Sequence, residues 1–260
     1  MKISIVTPSY NQHQFIRETV DSIISQSYGN WELRIVDGGS TDGTVDYLET
    51  LEDNRITWVS EPDEGQTNAI NKGFRKCTGD IVCWMNSDDV FCPSSFDRVA
   101  KEFAKDTSLD VLSGDKFHID EGGTITSVQR YAQYDVDSFA NDKMAMCNQA
   151  CFWKRELFNK IGYLDETIQF VMDLDYFVRM GNKGSLTMKH IPQILGAQRY
   201  YDGTKTSDSE WIKVWDEERT KVLELNKLKM CLFDKIRVKF NRALYHIKTG
   251  YWHYLFTNRI

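Results

Sequence analysis

Residues 31–44 read WELRIVDGGSTDGT, in which a strand-like apolar run is followed at once by a loop rich in aspartate and glycine. The run Trp31–Val36 is typical of a buried strand, and the Asp37-Gly38-Gly39-Ser40 stretch that ends it has the composition of a turn. Apolar residues at three-residue spacing then continue to Leu51, which indicates a helix. The stretch therefore predicts one strand–loop–helix unit of a parallel sheet.

The same alternation surrounds this unit on both sides. Further strands are predicted at Ile3–Thr7, Ile56–Val59, Asp80–Met85 and Thr187–Ile191. Further helical patterns are found at Thr67–Lys76, Lys154–Ile161, Met172–Met180 and from Ser209 to about Asn226. Strands separated by helices at these intervals predict βαβ units, and hence an α/β fold with a mainly parallel central sheet.

Bulk properties narrow the class of protein. At 260 residues and 41% apolar content, the chain suits one large α/β domain, with or without an appendage. The six cysteines show no CxxC pairing, which favours reduced thiols in a cytoplasm. The N-terminus lacks a signal-peptide pattern, and the apolar runs fall short of the roughly 20 residues that cross a bilayer. A cytoplasmic location without a nucleic-acid partner is the expectation.

The net charge of −6 conceals a basic C-terminal segment. Residues 227–260 contain eight Lys or Arg and one acid, and they form a tail on an otherwise acidic body. The tail has one apolar stripe at three- and four-residue spacing, formed by Leu228, Leu232, Ile236, Phe240, Leu244, Ile247, Tyr251 and Leu255. Two interpretations stand: helices packed on the body or on a second copy in a homodimer, and an amphipathic segment peripheral on an anionic inner membrane surface.

Polar residues gather where four successive predicted strands end. They are Thr7-Pro8-Ser9-Tyr10-Asn11, Asp37-Gly38-Gly39-Ser40, Glu61-Pro62-Asp63-Glu64-Gly65 and Asn86-Ser87-Asp88-Asp89. Ligands of open parallel sheets bind outside the carboxyl ends of the strands, so four such loops predict a shared site. Aspartates can accept bonds from a base or a ribose, glycines let amides approach a phosphate, and paired carboxylates suit Mg²⁺ beside phosphates.

Two common nucleotide-binding signatures are missing. The chain has neither GxGxxG after its first strand nor GxxxxGK[ST], which counts against a dehydrogenase and against a P-loop enzyme.

The motifs, taken in order, resemble those of family 2 glycosyltransferases with the GT-A fold, over roughly residues 1–205. Besides the four strand-end loops, the likeness covers Ala69-Ile70-Asn71-Lys72-Gly73, Asn148-Gln149 through Asp165, and Phe170-Val171-Met172-Asp173-Leu174-Asp175. The resemblance implies a GT-A catalytic domain at 1–226, with a donor-binding half at about 1–105 and an acceptor-side half at about 106–226. A basic amphipathic helical tail at 227–260 completes the predicted organisation.

The resemblance also implies roles for individual residues. Asp173 would be the catalytic base, Asp88 and Asp89 the metal ligands, and Gln149 and Asp175 acceptor-side residues. The implied donor-binding residues are Thr7, Pro8, Ser9, Tyr10, Asn11, Asp37, Gly39, Asp63, Gly65, Asn71, Lys72, Asn86 and Ser87. The implied reaction is inverting transfer from a nucleoside-diphosphate sugar, with a UDP-sugar favoured, to a glycan or glycolipid acceptor, dependent on Mg²⁺ or Mn²⁺. Cell-surface polysaccharide biosynthesis is the implied setting.

Three positions depart from the family pattern. Asn86 replaces the first aspartate of the DxD motif, Met172 replaces the acidic residue before the base, and Arg199-Tyr200-Tyr201 stands where many relatives have a histidine. A catalytically weak domain that binds nucleotide sugar and scaffolds a partner transferase is therefore an alternative. A nucleotidyltransferase is a third, although its glycine-rich basic signature is missing after the first strand.

Several residues also have simpler interpretations. Asp88 and Asp89 could cap the helix that begins near Ser94, Lys72 could be a solvated surface lysine, and Asp175 could be structural. The aromatic residues Trp84, Phe152, Trp153 and Tyr163 are more often core than sugar platforms.

Overall fold

The structure is a computed structural model that describes residues 1–132, 136, 146–182, 185–202, 209–228 and 232–251. Within these ranges, its elements follow the predicted alternation closely in the first hundred residues and less closely afterwards.

The first part of the chain forms an all-parallel half-sheet. Its elements are β1 (Ile3–Ser9), α1 (Ile16–Ile24), β2 (Trp31–Asp37), α2 (Thr44–Leu48), β3 (Ile56–Ser60), α3 (Gln66–Phe74) and β4 (Ile81–Trp84). The strand order is β3-β2-β1-β4, and each neighbouring pair is parallel. The carboxyl ends of these strands therefore lie on one edge, as the sequence predicts.

The second part extends the sheet in mixed directions. It comprises β5 (Val90–Phe91), α4 (Ser95–Lys105), β6 (Val111–Ile119), β7 (Ile125–Gln129), β8 (Cys151–Lys154), α5 (Phe158–Ile161), α6 (Met172–Asn182) and β9 (Met188–Arg199). The order continues β4-β8-β6-β9-β5, with β7 on β6. β6 and β9 are parallel, whereas β8 is antiparallel to both of its neighbours. The α/β fold is confirmed, with antiparallel pairing confined to this half.

Strand β9 is much longer than the predicted Thr187–Ile191 strand. It runs beside β6 with two shifts of register, and it reaches the edge of the sheet at which β1 to β4 end. Pro192 and Gly196 interrupt the strand-like pattern, which is why periodicity alone stops early. Gly196 is required by packing, since a Cβ there would lie 2.2 Å from the carbonyl oxygen of Gln149.

The core has two parts, one on each face of the sheet. Ile3 and Ile5 of β1 belong to one cluster, and Val6 belongs to the other, as the alternation of side chains along a strand requires. Trp84 and Trp153 pack edge to face in the second cluster, and Phe152 lies in the first. The core interpretation of these three aromatic residues is confirmed, and Tyr163 packs at the border of the second cluster.

Two helices follow the sheet. α7 (Ser209–Leu225) is separated from α8 (Leu232–Lys248) by a turn in which Lys227 has a φ of 56°. One side of α8 packs on the sheet through Tyr245, whose hydroxyl lies 2.7 Å from Nδ1 of His190 on β9. None of the described helices combines the length and apolar character needed to cross a membrane.

Candidate active site

A cavity of about 650 Å³ opens at the edge where β1, β3 and β4 end. Its volume is in the usual range for a small-molecule site. Nine predicted site residues line it, namely Pro8, Ser9, Tyr10, Asp63, Gly65, Asn86, Ser87, Asp88 and Asp89. The other lining residues are Gln12, Gly38, Pro62, Gln66, Ala69, Gln198, Arg199 and Tyr201. The structure thus brings together all four predicted strand-end loops, the loop after β2 only through Gly38.

The loop after β1 contributes a short wall of the cavity. Ser9 is buried, and its Oγ has no hydrogen-bond partner in the described part of the chain, so it is available to a ligand. Thr7 is fully buried within β1 and does not line the cavity. Asn11, at a φ of 51°, fixes the loop instead, because its amide N–H donates to Ser40 Oγ and its Oδ1 accepts from Thr41.

Asp37 lies behind the cavity rather than on its surface. Its buried carboxylate accepts hydrogen bonds from the backbone amides of Gly39 and Ser40 and from the hydroxyls of Ser40 and Ser60. The predicted base contact by Asp37 therefore has no exposed carboxylate to make it. Gly39, at a φ of 85°, turns the same loop without lining the cavity.

Asp63, unlike Asp37, lies on the wall of the cavity. It lines the cavity against Gly38, where a Cβ would lie 2.7 Å from Asp63 Oδ2. Its Oδ1 accepts from the Gly65 amide at 2.8 Å, which fixes the carboxylate.

Asn71 and Lys72 have structural partners outside the cavity. The Asn71 side chain is buried and bonds to the backbone of Leu164 and to Glu166, which ties α3 to the chain before α6. Lys72 pairs with Glu61 at 2.9 Å. Neither predicted donor contact is supported by this arrangement, and the surface interpretation of Lys72 fits it better.

The adjacent aspartates after β4 have different surroundings. Asp88 is half-buried on the cavity wall, with its Oδ2 3.3 Å from the Tyr201 hydroxyl. Asp89 is buried, and its carboxylate accepts from Asn86 Nδ2, Gln149 Nε2 and the Arg199 amide at 2.8–3.1 Å. Burial and the neighbouring Asp88 charge raise the pKa of Asp89. Asp88 is thus the better placed of the two carboxylates to meet a cation.

The Asn86 departure has a physical reason in this loop. Its amide nitrogen donates to Asp89 at 3.1 Å, and its oxygen accepts from Gln66 at 3.0 Å. An aspartate at this position would place a second carboxylate against Asp89 and lose the donor. Met172, the second departure, is buried in the apolar cluster that contains Trp84.

The end of β9 supplies residues that were not predicted as site residues. The fully buried Arg199 side chain donates to the Asp88 carbonyl at 2.9 Å and to the Glu121 carbonyl at 2.7 Å, and it pairs with Glu18. It therefore holds the Asp88 loop against α1 and β6. The replacement of the usual histidine by this stretch was the signal in the sequence, but its partners could not be read from it.

Asp173 is the second residue of α6 and does not line the cavity. Burial raises its pKa, while the Leu174 amide at 2.7 Å and the charge of Lys116 act against this rise. The Lys116 charge likewise acts against the rise in the pKa of Asp89. The Lys116 ammonium donates to the side-chain oxygen of Gln198, which lines the cavity.

The two predicted acceptor-side residues have packing roles in this structure. Gln149 is buried and orients Asp89. Asp175 pairs with Arg179 at 2.8 Å, and Arg179 also donates to the carbonyl oxygens of Ile161 and Tyr163. This pairing agrees with the structural interpretation of Asp175.

A divalent cation fits this donor set only in part. In the described ranges, no group of three or more His, Cys, Asp or Glu side chains could hold a metal by itself. Of the two carboxylates that follow β4, Asp88 lies on the cavity wall without the three donors that enclose Asp89. Magnesium is commonly held by one or two carboxylates with substrate phosphates supplying further oxygens, and one carboxylate meets that requirement.

Comparison with known sequences gives the same family that the motifs suggest. The sequence profile of glycosyl transferase family 2 matches residues 4–162. A PGL/p-HBAD biosynthesis glycosyltransferase of Mycobacterium bovis is 27% identical over 216 residues, which cover 81% of this chain and 82% of that protein. An uncharacterized glycosyltransferase of Nostoc is 30% identical over 133 residues, and the match spans 48% of this chain but 41% of the relative.

Solved structures share the fold at low sequence identity. S. aureus TarS 1-349 in complex with UDP-GlcNAc has a TM-score of 0.67 at 17% identity, covering 95% of this chain and 73% of that chain. Mannosyltransferase PcManGT from Pyrobaculum calidifontis, in complex with GDP-Man and Mn²⁺, has a TM-score of 0.60 at 18% identity, covering 98% and 84%. These likenesses confirm the GT-A fold, and the family profile spans more than half of the chain. The chain belongs to glycosyltransferase family 2.

Proposed function

We propose that this chain transfers a sugar from a nucleoside-diphosphate donor, with a UDP-sugar favoured, to an acceptor hydroxyl with inversion at the anomeric carbon. The observation that carries the proposal is the cavity at the strand ends with Asp63 and Asp88 on its wall. TarS and PcManGT, which share the fold, are complexed with UDP-GlcNAc and GDP-Man, and this supports a nucleotide-sugar donor.

The donor is assigned to the cavity by the chemistry of its wall. Tyr10 and Asp63 both line the cavity beside Gly38, and together these residues suit a base and a ribose. Ser87 and Asp88 follow β4 and suit the diphosphate end. A divalent cation held by Asp88 would neutralise the diphosphate and favour its departure. The GDP-Man and Mn²⁺ complex of PcManGT supports such a cation.

The catalytic base in this proposal is Asp173. It accepts the proton of the acceptor hydroxyl as that oxygen attacks the anomeric carbon, and the bond to the diphosphate breaks with its electron pair leaving on oxygen. The raised pKa of Asp173 suits a base, since a carboxylate of higher pKa accepts a proton more readily.

The acceptor in this proposal is a glycan or a glycolipid. The mycobacterial relative is named for PGL/p-HBAD biosynthesis, which supports a biosynthetic role. The cell-surface polysaccharide setting of this proposal is the one that the motif resemblance implies.

The test begins with binding. Thermal unfolding of the full chain is measured with UDP, GDP and their sugars, with and without Mn²⁺. Because a ligand that binds the folded state raises apparent stability, we expect UDP-sugars to raise the Tm only when Mn²⁺ is present. No stabilisation by any nucleotide at millimolar concentration would refute the donor assignment.

Transfer is then measured by mass spectrometry with lipid-linked and free glycan acceptors, and the anomeric configuration of the product is read by NMR. An inverted configuration is expected. Tight nucleotide binding without turnover on any acceptor would favour the scaffold alternative, and a retained configuration would contradict the single displacement.

A further inference from the structure

Helix α8 carries a row of exposed apolar side chains on the side that faces away from the sheet. They are Leu232, Phe233, Ile236, Phe240, Leu244 and Ile247, and we call them the α8 stripe. Leu232 and Phe233 are each 74% exposed, and Ile236 and Phe240 are each 61% exposed. At about 100° per residue, the six positions fall within a single arc of about 120° of the helix surface.

The stripe is exposed although the helix itself is docked. Val238, on the opposite side, is buried, and so is His246, which lies on the edge that carries Lys235 and Lys239. The Tyr245 hydroxyl bonds to His190 at 2.7 Å. Just beyond the helix, Tyr251 lies under the guanidinium of Arg130 at 3.6 Å. These contacts fix the rotation of α8 about its axis. The stripe therefore points away from the sheet, on which the other side of the helix packs.

Basic residues border the stripe on both sides. On the helical projection, Lys235 and Lys239 lie along one edge, and Arg237 and Lys248 lie along the other. The body at residues 1–226 has the opposite character, with 24 basic and 37 acidic residues. An anionic surface would therefore attract α8 and repel the body, which gives the molecule one preferred orientation on such a surface.

We propose that the α8 stripe docks this protein on an anionic lipid bilayer, with the helix lying in the membrane plane. The apolar side chains would enter the boundary between headgroups and acyl chains, and the flanking lysines and arginines would meet the lipid phosphates. The helix of 17 residues is about 25 Å long, which suits lying on a bilayer rather than crossing it.

A second copy of the chain is a poorer occupant of the same surface. A two-fold contact through the stripe would set the basic edges of the two helices beside each other, and like charges repel. Lysine is also depleted in protein–protein interfaces, whereas three of the four bordering residues are lysines.

The test is co-sedimentation of the full chain with vesicles, independent of catalysis. One vesicle contains phosphatidylglycerol and phosphatidylcholine in equal amounts, and the other contains phosphatidylcholine alone. Three variants are compared: Ile236→Ser with Phe240→Ser, Lys235→Glu with Lys239→Glu, and the control Ile125→Ser, which removes an exposed apolar side chain from β7. Thermal unfolding of each variant checks that the fold is kept, which is favoured because four of the five positions are exposed and Lys235 is partly exposed.

We expect binding to the phosphatidylglycerol vesicles that is at least tenfold tighter than to phosphatidylcholine alone and that weakens with added salt. The serine pair should weaken it at least tenfold, and each lysine replaced should weaken it about fivefold or more, whereas Ile125→Ser should leave it unchanged.

Three results would overturn the proposal. They are no binding to either vesicle, equal binding by the serine pair and the native chain, and a dimer in light scattering that the serine pair converts to a monomer. The last result would assign the stripe to a second copy. The UDP and Mn²⁺ experiment reports on the cavity separately, so failure of one proposal does not imply failure of the other.

Discussion

Asp88 and Asp89 are adjacent in the sequence, and only their surroundings indicate which carboxylate could bind a cation and which one holds the loop in place. Asp89 is enclosed by three hydrogen-bond donors, whereas Asp88 lies on the cavity wall. We predict that Asp88→Asn weakens UDP binding in the presence of Mn²⁺ by at least about tenfold, because a cation beside the diphosphate loses its one charged protein ligand. Calorimetry with Mn²⁺ and with EDTA measures this change.

The control for Asp88→Asn is Asp46→Asn, which neutralises an exposed carboxylate on α2 and should leave the affinity unchanged. Equal loss of affinity with Mn²⁺ and with EDTA would show that Asp88 acts on the nucleotide without a cation.

Asp173 is predicted to act in catalysis and not in donor binding. Asp173→Asn should reduce kcat about 10²- to 10⁴-fold, the usual contribution of a general base, and leave the affinity for UDP nearly unchanged. Because burial raises the pKa of Asp173, kcat/KM of the native enzyme should fall with decreasing pH at a pH above the ordinary range for aspartate. Steady-state kinetics between pH 4 and 9 measure both effects, and near-native turnover of the variant would discard the assignment.

The sequence predicted which loops would lie together at the cavity, but it did not predict which side chains of those loops would line it. Pro8, Asp63 and Asp88 were predicted because strand ends of a parallel sheet share an edge, and they line the cavity. The carboxylate of Asp37 is instead used within its own loop, and Asn71 bonds to a segment more than ninety residues away. The hydrogen bonds that a side chain makes depend on its neighbours in the fold, and a local sequence pattern does not reveal them.

At the scale of elements, the close approach of β9 to the Gln149 segment allows a sharp test. Gly196→Ala would place a Cβ 2.2 Å from the Gln149 carbonyl oxygen, a backbone atom that cannot move aside cheaply. We expect a loss of at least about 1–3 kcal/mol in the free energy of unfolding, as for overpacked cores. Urea denaturation measures the change.

The matched control is Gly29→Ala, because nothing lies within 4 Å of a Cβ at that position. It should change the free energy of unfolding by less than about 1 kcal/mol. A Gly196→Ala variant as stable as the native chain would show that β9 and the Gln149 segment can separate without loss.

Strands and helices with a regular apolar pattern could be predicted from the sequence, whereas those whose structure depends on pairing with other strands could not. The strands of the parallel half appear within three residues of their predicted ends because each is a short apolar run bounded by turn residues. The Lys154–Ile161 pattern, predicted as one helix, is instead a strand end, a short 3₁₀ turn and α5. The first residue of this stretch, Lys154, belongs to β8, and the pairing of β8 with β4 and β6 overrides the local helical pattern.

At the scale of the whole molecule, a buried carboxylate joins the central strands. Glu32 of β2 accepts hydrogen bonds from Ser4 of β1 and from Thr78, just before β4, and it pairs with Lys2 at 2.8 Å. Burial by itself would raise its pKa, but the bonds from Lys2, Ser4 and Thr78 outweigh burial and lower the pKa of Glu32 to about 2. Protons therefore bind this group more tightly in the unfolded chain than in the folded one.

The consequence is a loss of stability in acid with a defined window. Above the unfolded pKa of 4.5 the contribution of Glu32 is fully present, and it is lost progressively as pH falls towards about 2. The shift corresponds to a contribution on the order of 3 kcal/mol. We expect Glu32→Gln to lower the free energy of unfolding at pH 7, and the difference between the native chain and the variant to shrink between pH 5 and pH 2. Urea denaturation across this range measures the difference, and a gap that stays constant with pH would show that the ionised carboxylate is not what joins the strands.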